Sequence, residues 1–183
     1  LRPLVESVVA SVPLIFVGLG VSVAFRTGIF NIGGAGQYTM GAVGGTIAAL
    51  AFGAGVTPGP IAILLVTIFG IIGGAAWAFV PGYLKARVGA SEVITTIMLN
   101  FIVLAFLNWI VSAKLHVPET LHTPPIVAGM MPRFADSFAA FRGSAANFTI
   151  VFAVLAALAS WWYLFRTRSG YAVRAVGLQP DAA

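Results

Sequence analysis

Three polar residues stand in line within an apolar run. Glu92, Thr96 and Asn100 recur at every fourth position of SEVITTIMLNFIVLAFLNWIVS. On a helix that spacing makes one slowly rotating stripe. A carboxylate, a hydroxyl and an amide are costly in hydrocarbon unless they face protein or water. The stripe can therefore line a path for a polar solute, with Thr96 and Asn100 as its deepest members. It can equally hydrogen-bond one helix to the next, a common use of Thr and Asn in bilayers. For Asn100 both readings stand. Glu92 sits at the predicted helix start, where solvation and the helix N-terminus account for a negative charge.

A second stretch poses the same question. FRTGIFNIGGAGQ, residues 25–37, sets Gly28, Gly33, Gly34, Gly36, Asn31 and Gln37 between two apolar runs. So many glycines depress helix propensity. A tight turn between helices is the more economical reading. A broken helix presenting backbone and side-chain amides to a solute is the alternative, since irregular backbone at membrane depth survives where protein or water covers it. Asn31 and Gln37 would then border the path.

Other chemistry is sparse. No nucleophile–base pair is visible, so no residue is expected to be catalytic. The chain lacks G-x-x-x-x-G-K-[ST], which excludes ATP binding by a P-loop. His116 and His122 lack a third ligand at useful spacing, so no metal site is expected. There is no cysteine to form disulfides or thiolate sites.

The elements that carry these residues follow from composition. The chain is 60% hydrophobic and 8% charged, against about 25% charged in soluble domains. Lipid must be its main solvent. The net charge of +5 comes from basic residues scattered singly, which excludes the clustered basic face of a nucleic-acid binder. Apolar segments run over Val8–Phe25, Tyr38–Phe52, Ile61–Val80, Val93–Ser112 and Phe148–Phe165. Each is long enough, or nearly so, to cross about 30 Å of hydrocarbon. They are continuous rather than alternating, which argues for helices over barrel strands. The expected fold is all-α: a polytopic transmembrane bundle of about five spanning helices. Thr57-Pro58-Gly59-Pro60 and Pro81-Gly82 read as turns bounding the third segment. Gly41-x-x-x-Gly45 and Gly70-x-x-x-Gly74 offer faces for close helix contact.

Basic residues orient the bundle. Arg26, Lys85 with Arg87, and Arg166, Arg168 and Arg174 fall on one side of alternating crossings, which should be the cytoplasm. The 113–147 loop lies on the other side, and its length suits a cap or a docking surface. In the closing stretch SGYAVRAVGLQPDAA, Gly177 is expected to end one helical piece and Pro180 to open another.

GIFNIGGAGQYTMGA at 28–42, GASEVITTIMLNFIV at 89–103 and SGYAVRAVGLQPDAA at 169–183 together, in this order, resemble one family. It is the family of permease subunits of bacterial ABC importers for nucleosides and simple sugars, within the wider branched-chain amino acid and ribose permeases. The resemblance runs along nearly the whole chain. It implies a multi-pass protein of the bacterial cytoplasmic membrane that is a transport subunit and not itself an enzyme. It implies a second permease subunit, identical or paralogous. It further implies cytoplasmic ATPase subunits carrying the ATP and magnesium, so that this chain holds no cofactor. An extracytoplasmic solute-binding protein would complete the assembly. Arg174, Gly177, Pro180 and Asp181 match the segment that touches the ATPase, and Asn31, Gln37 and Asn100 match plausible path positions. Residues 1–183 would then form the N-terminal part of a single permease domain, with one helix before and several after. Where many relatives carry an acidic residue in this motif, the chain has Ala35. The alternatives are an ion-coupled secondary transporter, which needs intramembrane carboxylates beyond Glu92, and a structural membrane protein in which the polar stripe only glues helices.

Overall fold

The computed structural model describes residues 2–52, 57–118, 120, 122–126, 129–138, 141 and 143–178. Its helices are α1 (Arg2–Arg26), α2 (Gly34–Phe52), α3 (Gly59–Val88), α4 (Glu92–Ile110), α5 (Phe134–Ser137), α6 (Thr149–Arg166) and α7 (Arg168–Leu178). A π-helical turn, Val111–Leu115, prolongs α4. Among the described residues the only β pairing reported is an isolated bridge between Arg133 and Asn147. The architecture is the expected all-α bundle.

Four helices are long and apolar enough to cross a bilayer: Pro3–Arg26, Gly59–Val88, Glu92–Leu115 and Thr149–Arg166. Large apolar side chains stand exposed along them, among them Ile71, Phe79, Phe101 and Leu158. Only a hydrocarbon solvent makes such a surface stable. The second expected segment forms α2 but is not among these four. Its glycines, Gln37, Thr39 and Thr46 dilute its apolarity. α2 is also the most sheltered helix, with Gly34, Gly36, Val43, Gly45, Ala48 and Ala49 buried. A helix covered by other helices needs less lipid-facing hydrocarbon.

The chain divides into two compact units, one of Leu1–Asn31 with Met131–Ala183, the other of Ile32–Met130. In the second unit α2 lies antiparallel to α3 along a glycine seam. A Cβ on Gly44 would fall 2.5 Å from the carbonyl oxygen of Phe69, and one on Gly73 would fall 2.6 Å from that of Met40. Gly41 faces Gly70 and Gly74 faces the Gln37 carbonyl, each at 3.1 Å from the missing Cβ. Without a hydrophobic drive between helices in lipid, this approach of backbone to backbone is what holds them. The expected Gly41 and Gly70 faces are used, but the tightest contacts belong to Gly44 and Gly73.

α3 runs further than expected. Pro81-Gly82 does not end it; the helix continues through Pro81 to Val88. Proline removes one backbone bond and crowds the preceding turn, a defect that membrane helices tolerate when neighbouring groups compensate. The helix ends instead at Gly89, whose φ of 65° is left-handed and whose N–H donates to the Lys85 carbonyl at 3.1 Å.

In the first unit α1, α6 and α7 pack together. Phe134 contacts the rings of Phe141 and Phe148 at 5.6 and 4.6 Å, forming a small aromatic cluster. It lines a cavity of about 200 Å³ with Leu4, Val5, Val8, Ala146 and Ile150.

The seam makes a graded prediction. Gly44→Ala and Gly73→Ala force a methyl onto backbone and should each cost about 1–3 kcal/mol. Gly45→Ala meets only Val66 at 3.5 Å and should be tolerated. Thermal unfolding of the purified variants checks the order, and equal melting points for all three would refute the seam.

Candidate functional site

The glycine-rich stretch resolves into a helix end, a short link and a helix start. At the end of α1, Ile29 N–H donates to the Ala24 carbonyl at 3.2 Å and Gly28 N–H to that of Phe25 at 3.1 Å. This is a Schellman closure, and Gly28 supplies the left-handed residue at φ 77°. The Thr27 hydroxyl donates to the Ala24 carbonyl at 2.6 Å. Asn31 N–H then donates to the Ile29 carbonyl at 3.1 Å, a tight local turn. α2 begins at Gly34. The stretch is thus a capped turn between two helices, and α2 starts four residues before the expected Tyr38.

What makes the glycines helical is Asn100. Its Oδ1 accepts the Gly36 N–H at 2.9 Å, and its Nδ2 donates to the Ile32 carbonyl at 3.1 Å. The first N–H groups of any helix lack intrahelical partners. Here a side chain from α4 caps α2 from outside. A Cβ at Gly36 would lie 2.8 Å from Asn100 Oδ1 and 3.1 Å from Trp77 Nε1, so glycine admits both neighbours where they stand. The Trp77 Nε1 is itself buried with no hydrogen-bond acceptor. Its ring starts an aromatic series with Phe106 at 6.5 Å, which meets Trp109 at 5.7 Å.

The rest of the stripe also turns to protein. Thr96 is 2% exposed. Its hydroxyl donates to carbonyls of its own helix, Glu92 at 2.6 Å and Val93 at 3.1 Å. Glu92 Oε1 pairs with the Lys85 ammonium, joining the start of α4 to the end of α3. Gln37 is half-buried on α2, and its carbonyl faces Gly74. Asn31 is half-buried in the first unit, whereas Gln37, Thr96 and Asn100 belong to the second.

Near the carboxyl end of the chain, Arg174 lays its guanidinium on the Phe165 ring, 5.0 Å from the centroid. Gly177 does not end α7; it lies inside the helix. A Cβ there would fall 2.1 Å from the Arg26 carbonyl oxygen, so α7 lies flush on the end of α1. Contact, not capping, explains this glycine. Pro180 and Asp181 lie outside the described residues. His116 and His122 are exposed, with the Val117 N–H donating to the His122 carbonyl at 2.9 Å.

Residues 4–183 match the family described as branched-chain amino acid transport system / permease component. The chain belongs to this family. A guanosine ABC transporter permease protein of Bacillus subtilis is 34% identical over 97% of this chain and 50% of its own length. A nucleoside ABC transporter permease protein of Lactococcus lactis is 35% identical over 100% of this chain and 51% of its own. A glucose ABC transporter permease protein of Haloferax volcanii is 31% identical over 98% of this chain and 48% of its own. The chain spans about half the length of these relatives. No solved structure matches it. With its four apolar helices, this permease chain is a multi-pass membrane protein.

Within the permease fold three contributors were not picked out in advance: Gly44 and Gly73 on the seam, and Trp77. All had a signal. Gly44 and Gly73 complete i, i+3, i+4 sets with residues 41, 45, 70 and 74, and Trp77 continues the same α3 face one turn on.

Asn100→Leu should orphan the Gly36 N–H and the Ile32 carbonyl, at about 1–3 kcal/mol for each group. Abundance in membranes should fall in step with any transport activity. Asn100→Asp keeps an acceptor for Gly36 and should be intermediate. Full abundance of Asn100→Leu with activity lost would instead make the amide a solute contact.

Proposed function

We propose that this chain is part of the membrane-spanning permease subunit of an ATP-driven importer that moves a nucleoside or simple sugar inward across the bacterial cytoplasmic membrane. The observation that carries the reading is the family match over residues 4–183, with nucleoside and glucose permeases as relatives along the same length. The permease works with a second permease subunit, an extracytoplasmic solute-binding protein and cytoplasmic ATPase subunits, which hold ATP and magnesium. It is a transport subunit with no catalytic residue of its own.

In this reading the α2 amino end borders the solute path. Gln37 rides on that segment, Asn100 and the sheltered Thr96 serve it by position, and Asn31 precedes it in the chain. Polar path groups held by a capped helix end are pre-organised, so a passing solute exchanges water for fixed donors and acceptors. The ion-coupled alternative is weakened by the structure, since Glu92 is paired with Lys85.

The segment from Arg174 onward meets the ATPase through α7. Beside Arg168 and Ser169 at its start, α7 turns outward two large apolar groups, Tyr171 at 67% and Leu178 at 83% exposed. Such a surface fits a docking contact better than a solvated helix.

The test is uptake into vesicles holding the full permease with its ATPase and solute-binding protein. Labelled guanosine or glucose should accumulate only with ATP, and uptake should persist when a protonophore collapses the ion gradient. Uptake that needs the gradient and not ATP would overturn the proposal. In the same vesicles, Leu178→Ser with Tyr171→Ser should reduce solute-stimulated ATP hydrolysis at least about tenfold, the scale of losing one interfacial anchor, while membrane abundance holds. Unchanged stimulation would remove α7 from the ATPase contact.

A further inference from the structure

Two guanidinium groups address one aromatic ring in the first unit. Arg26 Cζ lies 5.6 Å and Arg174 Cζ 5.0 Å from the centroid of Phe165. Each contact alone is favourable, but together they gather like charges on one side chain. The next residue, Arg166, stacks on Trp161 at 5.6 Å, and Arg168 is exposed nearby in sequence.

No carboxylate answers these charges among the described residues of this unit. Glu6 lies near the other end of α1, about 30 Å away at about 1.5 Å per residue. Asp136 accepts the N–H of Arg133. Arg174 Nε is buried without an acceptor. Among the described residues of this unit the cluster is therefore a positive site without a carboxylate partner.

Its setting names the anion. Arg26 is the last residue of α1, and Phe165 and Arg166 close α6. Both helices are long and apolar enough to cross the bilayer. Trp161, Trp162 and Tyr163 stand exposed on the last turns of α6, where membrane helices place aromatic residues at headgroup level. We propose that Arg26 and Arg174, seated on Phe165, bind the phosphate of an anionic lipid headgroup. The guanidinium fork matches phosphate oxygens in pairs. Phe165 stacks both guanidinium groups, and exposed Phe25 offers apolar surface for the start of an acyl chain. An acidic protein surface is the less favoured occupant, because the cluster sits at the ends of spanning helices beside exposed Trp161 and Trp162.

The site has a structural consequence. Gly177 rests on the Arg26 carbonyl. A headgroup held by Arg26 and Arg174 therefore ties α7 to the ends of α1 and α6. The inference rests on the membrane-spanning reading of these helices, not on the transported solute.

The experiment uses the full permease in vesicles, without solute or ATPase, so a failed transport assay leaves its readout intact. Spin-labelled phosphatidylglycerol and phosphatidylcholine are compared by their motionally restricted fraction. The native protein should prefer phosphatidylglycerol. Arg26→Gln and Arg174→Gln should each lower that preference about fivefold, the equivalent of about 1 kcal/mol per basic residue near the surface. Arg87→Gln, a stacked arginine of the other unit, should leave it unchanged. If the glutamine variants do not insert, the two lysine replacements keep the charge, lose the fork, and should still weaken the preference. Three results would overturn the proposal. One is no preference in the native protein. Another is saturable inorganic phosphate binding in neutral vesicles without lipid preference, which points to a soluble anion. The third is an unaltered preference in the arginine variants, which takes the lipid off Arg26 and Arg174.

Discussion

A single side-chain amide holds the second unit in register. Asn100 closes the Gly36 N–H, which a helix start cannot satisfy alone, and the Ile32 carbonyl of the link before it. In water, solvent would do the same work. In hydrocarbon it cannot, and an orphaned group costs several kcal/mol. The position of α4 against α2 is therefore set by hydrogen bonding as well as by packing. Glycine at 36 suits the same contact, since a methyl there would push on the Asn100 amide and the Trp77 ring.

The glycine seam follows from that constraint. Once the start of α2 is pinned to α4, its other face is left for α3, and glycines at 41, 44, 70 and 73 let the two backbones touch. Such contacts gain from dispersion and weak C–H···O bonds rather than from expelled water. They depend steeply on distance, so one methyl is enough to lose them. Apolar side chains such as Ile71 and Phe79 can meanwhile face outward on α3, because lipid solvates them. The unit is thus inside out by soluble standards, with small and polar residues within and large apolar ones without.

That inversion explains what could be read from the sequence. The all-helical class, the glycine faces and four of the five expected spans follow from local composition and reappear; the second segment forms α2 without being apolar enough to count as a span. The expected end of α3 at Pro81-Gly82 fails because proline is a weaker stop in a membrane helix, where Gly89 supplies the left-handed cap instead. The early start of α2 could not be read from propensity, because a partner distant in sequence, Asn100, overrides the glycines. For the same reason the polar stripe stayed open between path and glue. Spacing puts Glu92, Thr96 and Asn100 on one face, but only the fold shows Lys85, the Thr96 helix's own carbonyls and the α2 end as their partners.

The stretch from Phe25 to Gln37 shows how one short sequence serves two neighbours. At its amino end, the Schellman turn satisfies α1 internally, so the Arg26 carbonyl is left facing Gly177 of α7. At its carboxyl end, the Gln37 N–H donates to the Gly33 carbonyl, but the Gly36 N–H relies on Asn100. The first arrangement needs a left-handed glycine, Gly28, and a glycine on the partner helix. The second needs a glycine at the contact itself and an amide on the partner. A self-closed end can tolerate a partner that shifts, because no backbone bond is broken when α7 moves. An end closed by another helix cannot, because separation from α4 would strand two polar groups in hydrocarbon. The joint with α7 therefore rests on contact, and the joint with α4 on hydrogen bonds as well.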